Sequence, residues 1–237
     1  MSAPAEEDEV VRVVEALILA KFQAEPFHNL YLRFDYPRTT LAYGGTCSDK
    51  VLSFHEALRS LGVAGTLHSA FIDDAEIHRL VQVRIGDALF FADVGNGWPS
   101  VKMFPLDHEV EYRCYGMRFR SVIHGRRMSI YNTRTDVERL QMDIHFDCKS
   151  EREILTDIEG RFGRGVDYPF SKGLRFSQVI GDRFLFLRDD RLEIYSSSQP
   201  YEEILGLDVS RLRETIQEHF GFDIEVLAAA RGGRPAP

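Results

Sequence analysis

The spacing of apolar residues changes period once along this chain, near residue 65, and that change constrains what it can fold into. From Glu9 to about Phe22 the residues Val10, Val11, Val13, Val14, Leu17 and Leu19 recur at helical spacing, and Pro26 stops that helix at or before Glu25. A second helix is predicted from about Cys47, with Val51, Leu52, Phe54, Leu58 and Leu61 on one face and Gly62 as its stop. Between them, residues 27–41 read as extended and aromatic, and Gly44-Gly45 as a sharp turn. Beyond residue 65 strand patterning takes over. Thr66–Ile72, Arg79–Ile85 and Ala88–Val94 read as strands, the last two joined by a tight Gly86-Asp87 turn. Glu111–Ile123, Met128–Tyr131 and Leu140–Phe146 extend what looks like an antiparallel sheet or barrel.

The polar stretch 148–165 reads as a connection holding one short helix at Ser150–Glu159. Strands follow at Phe176–Ile180, Arg183–Leu187 and Arg191–Ser196, then a helix from about Val209 to His219 that Gly221 ends. Residues 1–8 and 230–237 are expected to be frayed tails. The result is an α+β chain in three parts: 1–65 helical, 66–147 a β-barrel, and 148–237 a connection and an α/β lid.

Charge and cysteine usage narrow the function. A formal net charge of -8 argues against nucleic acid and against an anionic membrane surface as partners. No apolar run approaches the ~20 residues needed to span a bilayer. The N-terminal MSAPAEEDEV is too acidic for a secretory or mitochondrial address. Three cysteines, Cys47, Cys114 and Cys148, cannot all pair and lack metal-ligand spacing, so a reduced, cytoplasmic protein with no metal is expected.

Of the three thiols, Cys47 is placed for chemistry. It follows Gly44-Gly45 and opens a helix, where unpaired N–H groups and the helix dipole favour a thiolate. His78 begins one strand of the Gly86-Asp87 hairpin and Asp93 ends the other, so antiparallel pairing sets them side by side near its open end. Each residue alone reads more readily as structural: a buried cysteine, a strand histidine, a turn aspartate. Together they supply a nucleophile, a base and a carboxylate that orients the base. His68 lacks the interval to Asp93 that His78 has, His55 lies within the second helix, and Cys114 and Cys148 read as bystanders.

Residues 44–99 resemble the arylamine N-acetyltransferase family. That family carries an Arg-Gly-Gly-x-Cys-Phe-Glu motif, a helix, a histidine and an Asp-Val-Gly-x-Gly segment. Here the sequence reads Tyr43-Gly44-Gly45-Thr46-Cys47-Ser48-Asp49, then KVLSFHEALRSLGV, then His78, then Asp93-Val94-Gly95-Asn96-Gly97. Upstream KFQAEPFHNLYL and downstream residues 167–196 are similar as well. The resemblance implies a three-lobe fold with a transglutaminase-like or cysteine-protease-like core: a helical bundle with the cysteine, an antiparallel β-barrel with His and Asp, and an α/β lid. It implies ping-pong transfer of an acyl group, acetyl first among them, from a CoA thioester to an amine through acyl-Cys47, with acetyl-CoA or another acyl thioester as co-substrate and no permanently bound cofactor.

Binding residues are expected at Gly95, Asn96, Gly97 and Trp98 for CoA, where backbone N–H groups would meet phosphates, and at Phe27, Tyr43 and Thr46 for substrate. In the family an Arg–Glu pair holds the cysteine loop. Here Tyr43 replaces the arginine and Asp49 the glutamate, so a different support must exist. Two readings stand beside CoA-dependent transfer: an amide synthase drawing its acyl chain from a carrier protein, with Arg113, Arg118, Arg120, Arg126 and Arg127 as a docking patch, and a Cys–His–Asp hydrolase or transpeptidase. A non-enzymatic binding protein on the same scaffold is a fourth.

Overall fold

A computed structural model describes residues 4–162 and 171–229. Residues 167–170 of the stretch that carried the downstream resemblance, the end of the expected connection, and the tail 230–237 lie outside them.

Helix α1 spans Pro4–Ala24 and so takes in residues expected to fray. Proline is suited to a first helical turn, and Glu6 and Glu7 favour the positive end of the helix dipole. Residues 27–41 are not a single extended run. Strand β1 is only Phe27–His28, helix α2 is Leu30–Phe34, and a 3-10 turn covers Leu41–Tyr43. Local pattern could not show so short a helix. It is held from outside: the Asn29 side chain donates to Gly173 O (2.6 Å) and accepts from Arg175 N (2.9 Å), and Leu30 and Tyr31 are buried.

Helix α3 spans Cys47–Ser60 and starts at the expected residue. The turn before it requires Gly44. Its φ is +73°, and a Cβ there would collide with Pro26 O.

The middle of the chain forms an eight-stranded antiparallel sheet in the order β5-β4-β3-β2-β9-β8-β7-β6. Its strands are β2 Ala64–Ile72, β3 Ala75–Ile85, β4 Ala88–Ala92, β5 Phe104–Pro105, β6 Glu111–Cys114, β7 Met117–His124, β8 Arg127–Arg134 and β9 Val137–His145. The expected barrel is thus a curled half-barrel with β5 and β6 at its edges. Residues 111–123, expected as one strand, contain a hairpin. Its turn is Tyr115-Gly116, both at positive φ (49° and 70°), a geometry usually signalled by Asn-Gly or Asp-Gly.

Helix α4, Glu151–Arg161, is capped by Ser150, which reciprocates with Glu153. The final lobe is a second antiparallel sheet, β1-β10-β11-β12-β13, built from β10 Arg175–Ile180, β11 Arg183–Arg188, β12 Arg191–Ser196 and the exposed β13 Glu202–Ile204. The helix expected from Val209 begins with a 3-10 turn and becomes α5 at Leu212–Phe220, followed by α6 at Glu225–Ala229. Strand β1 is the tie between the ends of the chain: Phe27 pairs with Ser177 of β10 and bridges to Gly45 beside the cysteine turn.

One core joins all three parts. Val14, Ile18 and Phe22 of α1 and Val51, Phe54 and Leu58 of α3 pack with Leu67, Val81 and Val83 of the large sheet, Ile154 and Ile158 of α4, and Val179, Phe184 and Phe186 of the lid. Among the described residues no helix is long and apolar enough to cross a membrane.

The Gly44→Ala variant is expected to lose stability. A forced positive φ costs roughly 1–3 kcal/mol before the Pro26 collision is counted. At this chain length that lowers Tm by at least a few degrees, read by thermal melting.

Candidate active site

The site forms where the start of α3 meets the β3–β4 hairpin. Register places Val81 opposite Ala92, so the ladder continued by one pair sets Asp93 across from Leu80, two residues from His78 on the same face. Strand β4 ends at Ala92 rather than at Val94, which frees Asp93 to turn. Its Oδ1 accepts from His78 Nε2 at 2.8 Å and from the backbone N–H groups of Gly95 and Asn96, both at 3.1 Å. With Nε2 engaged, Nδ1 is the ring nitrogen left for Cys47, whose Sγ lies 3.8 Å from the carbonyl oxygen of Ile77, the residue before His78. All three side chains are at least 97% buried.

The electrostatics favour a charged pair. Burial alone would hold the Cys47 thiol up. The hydrogen bond and charge of His78, then the guanidinium groups of Arg161 and Arg79, outweigh it and draw the thiol below its ordinary value. Burial likewise pushes His78 down, but the charge and hydrogen bond of Asp93, with Cys47, raise it to about 10. Both shifts favour the thiolate–imidazolium form of the pair over the neutral one.

Both arginines are placed by backbone carbonyls around the catalytic strand. Arg79 donates to His78 O (2.8 Å) and pairs with Asp157 (3.2 Å), and Arg161 at the end of α4 donates to Ile77 O (2.9 Å). Sequence reasoning missed both, since neither lies in a motif and α4 reaches the site only through tertiary packing.

The support for the cysteine loop comes from Arg38. Its Nε donates to Asp49 Oδ1 at 2.5 Å while its guanidinium stacks on Phe162 at 3.7 Å. Asp49 Oδ2 accepts from the N–H of Thr46 (2.8 Å) and from its hydroxyl (2.9 Å), fixing the residue before the nucleophile. Burial keeps the Asp49 carboxyl raised, against the opposing charge and hydrogen bond of Arg38 and the donors of Thr46. Next along the helix, Lys50 is fully buried and donates to Lys21 O and Glu25 O, capping the last carbonyls of α1. Burial lowers its ammonium to about 8, with Glu25 opposing.

A cleft of about 370 Å³ opens onto Cys47 and His78, within the range of small-molecule sites. Gly95, Asn96, Gly97 and Trp98 all line it, as does Phe27. Of the N–H groups expected to meet phosphate, those of Gly95 and Asn96 donate to Asp93, and that of Trp98 donates to Asn96 Oδ1 (3.3 Å). Gly95 is there for space. A Cβ on it would lie 2.8 Å from Cys47 Cβ and 2.9 Å from Arg79 O. Trp98 both lines the cleft and packs on Phe186 of the lid (4.7 Å between centroids). Tyr43 and Thr46 stand behind the cleft: Tyr43 O meets His28 Nε2 (3.0 Å), and Thr46 serves Asp49.

The other candidates lie elsewhere. His68 packs edge-on against Phe91 and bonds Ser69 O. His55 sits on the α3 surface facing Gly65 O (3.0 Å). Cys114 is pushed up to about 12 by burial. Cys148 accepts from Ser69 N–H (3.3 Å). Most of the arginine patch is neutralised: Arg118 and Arg120 pair with Glu138, Arg126 with Asp147 and Arg127 with Asp143. Among the described residues no three His, Cys, Asp or Glu side chains are grouped to hold a metal ion.

Two outcomes test this site. Alkylation of Cys47 by iodoacetamide should rise at lower pH than that of an ordinary thiol, because the thiol's pKa lies below its ordinary value and that of His78 above. His78→Ala should shift that rise to higher pH. Arg38→Met strands the Asp49 carboxylate and should cost stability near the lower end of the roughly 3–5 kcal/mol typical for a broken buried pair, since Arg38 is partly exposed. The denaturation midpoint reads this directly.

The chain matches the N-acetyltransferase family over residues 41–229. No curated protein sequence matches it. Solved structures similar to it include the arylamine N-acetyltransferase of Salmonella typhimurium, 21% identical over 93% of this chain and 90% of that one, with a TM-score of 0.75. The Mycobacterium smegmatis arylamine N-acetyltransferase is 18% identical over 95% and 89%, with a TM-score of 0.77. The Mycobacterium marinum arylamine N-acetyltransferase in complex with CoA is 17% identical over 94% and 89%, with a TM-score of 0.77. At these identities the structures speak for the fold, while the match through most of its own length places the chain in the N-acetyltransferase family of acyltransferase enzymes.

Proposed function

We propose that this protein moves an acetyl group from acetyl-CoA to a small-molecule amine in two half-reactions, by way of a thioester on Cys47. The observation that carries this reading is a buried thiol drawn down by His78, whose ring is fixed in turn by the Asp93 carboxylate at 2.8 Å. That arrangement fits acyl transfer: the thiolate needs no proton removed before it attacks.

In the first half-reaction Cys47 Sγ attacks the thioester carbonyl. Its N–H, at the start of α3, is the natural first donor to the developing oxyanion. The new C–S bond forms, the CoA thiolate leaves, and the His78 imidazolium gives it a proton. In the second, a neutral amine attacks acetyl-Cys47. The C–N bond forms, the C–S bond breaks, and the amine's proton passes to His78, restoring the thiolate–imidazolium pair. Asp93 stays ionised throughout and holds the ring in the required orientation.

A small thioester is favoured as donor over a carrier protein. The arginine patch available for an acidic carrier is largely occupied by Glu138, Asp143 and Asp147. The mycobacterial relative solved with CoA supports the same choice. Amine transfer is favoured over hydrolysis because lid residues Arg175, Phe186 and Arg188 line the cleft and screen the thioester from water.

Incubation with acetyl-CoA alone should place one acetyl group on Cys47, seen by intact mass and peptide mapping, and Cys47→Ala should lose both the adduct and turnover. An adduct formed only from carrier-bound or longer acyl thioesters would replace the acetyl-CoA assignment. Full turnover by Cys47→Ala would end the acyl-cysteine reading. Asp93→Asn should keep the fold and lower kcat by roughly 10²–10⁴, as loss of the orienting carboxylate does in comparable triads.

A further inference from the structure

The three thiols of this chain differ in access as well as in surroundings. Cys47 is buried in the active site, Cys114 is half-buried, and Cys148 is exposed. Cys148 lies between β9 and α4, against β2, and neither it nor the residues around it line the cleft. Its sulfur meets two groups of Ser69: the backbone N–H at 3.3 Å, and the hydroxyl at 3.2 Å, which is free to turn its proton toward the sulfur. Donors of this kind favour a thiolate. His68, the preceding residue on β2, is only 4% exposed and packs edge-on against Phe91. Its Nδ1 is engaged by Ser69 O (2.9 Å). Nε2 is the ring nitrogen left over, and it is buried with no hydrogen-bond partner among the described residues. Burial alone would hold the Cys148 thiol up. The hydrogen bonds of His68 and Ser69, with the charge of His68, outweigh it and draw the thiol below its ordinary value. Cys114 shows the opposite outcome for the same residue type: burial, opposed only by a backbone hydrogen bond, pushes it up to about 12.

Leaving a buried imidazole nitrogen unpaired is unfavourable. The nitrogen gains a partner when the neighbouring sulfur is a thiolate, which the two Ser69 groups hold from the other side. Such surroundings do nothing for a cysteine that only fills space, and Cys148 is not in the core. They suit a thiol that ionises where solutes reach it. Neither of the other thiols bonds into this cluster: Cys114 donates to Pro99 O (3.3 Å), and Cys47 faces Ile77 O. A disulfide partner for Cys148 therefore comes from solution.

We propose that Cys148, set between Ser69 and His68, is a second reactive thiol and a modification site that reversibly takes up one half of a small-molecule disulfide. The Cys148 thiolate attacks one sulfur of that disulfide. A new S–S bond forms as the old one breaks, and the other half leaves as a thiolate that takes up the proton Cys148 gave up. Cys148 is oxidised, the departing half is reduced, and the disulfide is the only oxidant required. Exchange with a free thiol removes the cap by the same step in reverse. No step uses Cys47, so the site stands apart from the acyl-transfer reading.

The experiment treats the full-length Cys47→Ala chain with glutathione disulfide, beside the peptide HFDCKSE, residues 145–151, which keeps the local sequence and lacks Ser69 and His68. Intact mass and peptide mapping at about pH 7 should place a glutathionyl group on Cys148 of the protein roughly threefold or more faster than on the peptide. The thiolate fraction grows as the thiol's pKa falls, and intrinsic nucleophilicity falls less steeply. Ser69→Ala and His68→Gln should each slow the capping toward the peptide's rate, and dithiothreitol should remove the cap. Ser69→Ala deletes a single hydroxyl, so it tests the cluster even where the buried His68→Gln change prevents folding. Capping of Cys148 no faster than that of the peptide overturns the proposal. So does a rate that the folded variants leave unchanged, or an adduct that maps to Cys114 instead.

Discussion

A single carboxylate oxygen organises this site. Asp93 Oδ1 accepts three donors, the His78 ring and the N–H groups of Gly95 and Asn96. The first bond fixes which nitrogen of the imidazole faces the thiol. The other two curl the chain as it leaves β4 and bring Gly95 against Cys47, closer than any residue with a side chain can come. His78, Cys47 and the cleft wall therefore share one anchor, and the anchor is buried, where such bonds are strong and water does not compete. The same bonds take the N–H groups that a glycine-rich loop would otherwise offer to a phosphate. Gly95 of the Gly-x-Gly segment thereby meets a packing requirement of the site.

Cys47 is held from the opposite side by charges that come from outside the cysteine motif. An ion pair between neighbours in a motif can be replaced by one formed across a loop, provided the guanidinium reaches the same carboxylate. Arg38 does this from eleven positions upstream of Asp49, with Phe162 as its platform. The buried Lys50 then locks the start of α3 to the end of α1 through backbone carbonyls rather than through an acid. These contacts leave the Thr46–Cys47 peptide little freedom, and preorganisation of that kind is what a thiolate at a helix start needs in order to meet a carbonyl at short range.

The sequence made the triad legible because its members sit on elements with strong local signatures: a glycine turn into an amphipathic helix, and a hairpin whose tight turn sets the register. The half-barrel, the lid strands and α4 could be read for the same reason. What escaped has a common cause. Helix α2 exists because Asn29 is tied to residues almost 150 positions away. The Tyr115-Gly116 hairpin uses a residue that local preference does not expect at positive φ. Arg38, Arg79, Arg161 and Arg134 acquire their roles by reaching across the tertiary structure, and arginine on a chain with so many acids reads as an ordinary solvated charge. Pattern reveals which backbone is present; it is silent on which long side chains converge.

That convergence gives the cleft an electrostatic character opposite to that of the whole protein. Arg79 and Arg161 stand behind the thiolate and stabilise it, while Arg134 and Arg188 stand in front of it, across the space a substrate fills. The two pairs differ in their bonding. Those behind are anchored to carbonyls of residues 77 and 78 and, for Arg79, to Asp157. Those in front rest on aromatic faces, Trp98 and Phe186, which position a guanidinium without neutralising it. An aromatic support leaves the charge on the cleft wall, whereas an acidic partner would cancel it. The rear pair thus acts on the thiol's electrostatics, and the front pair sets those of the opposite wall.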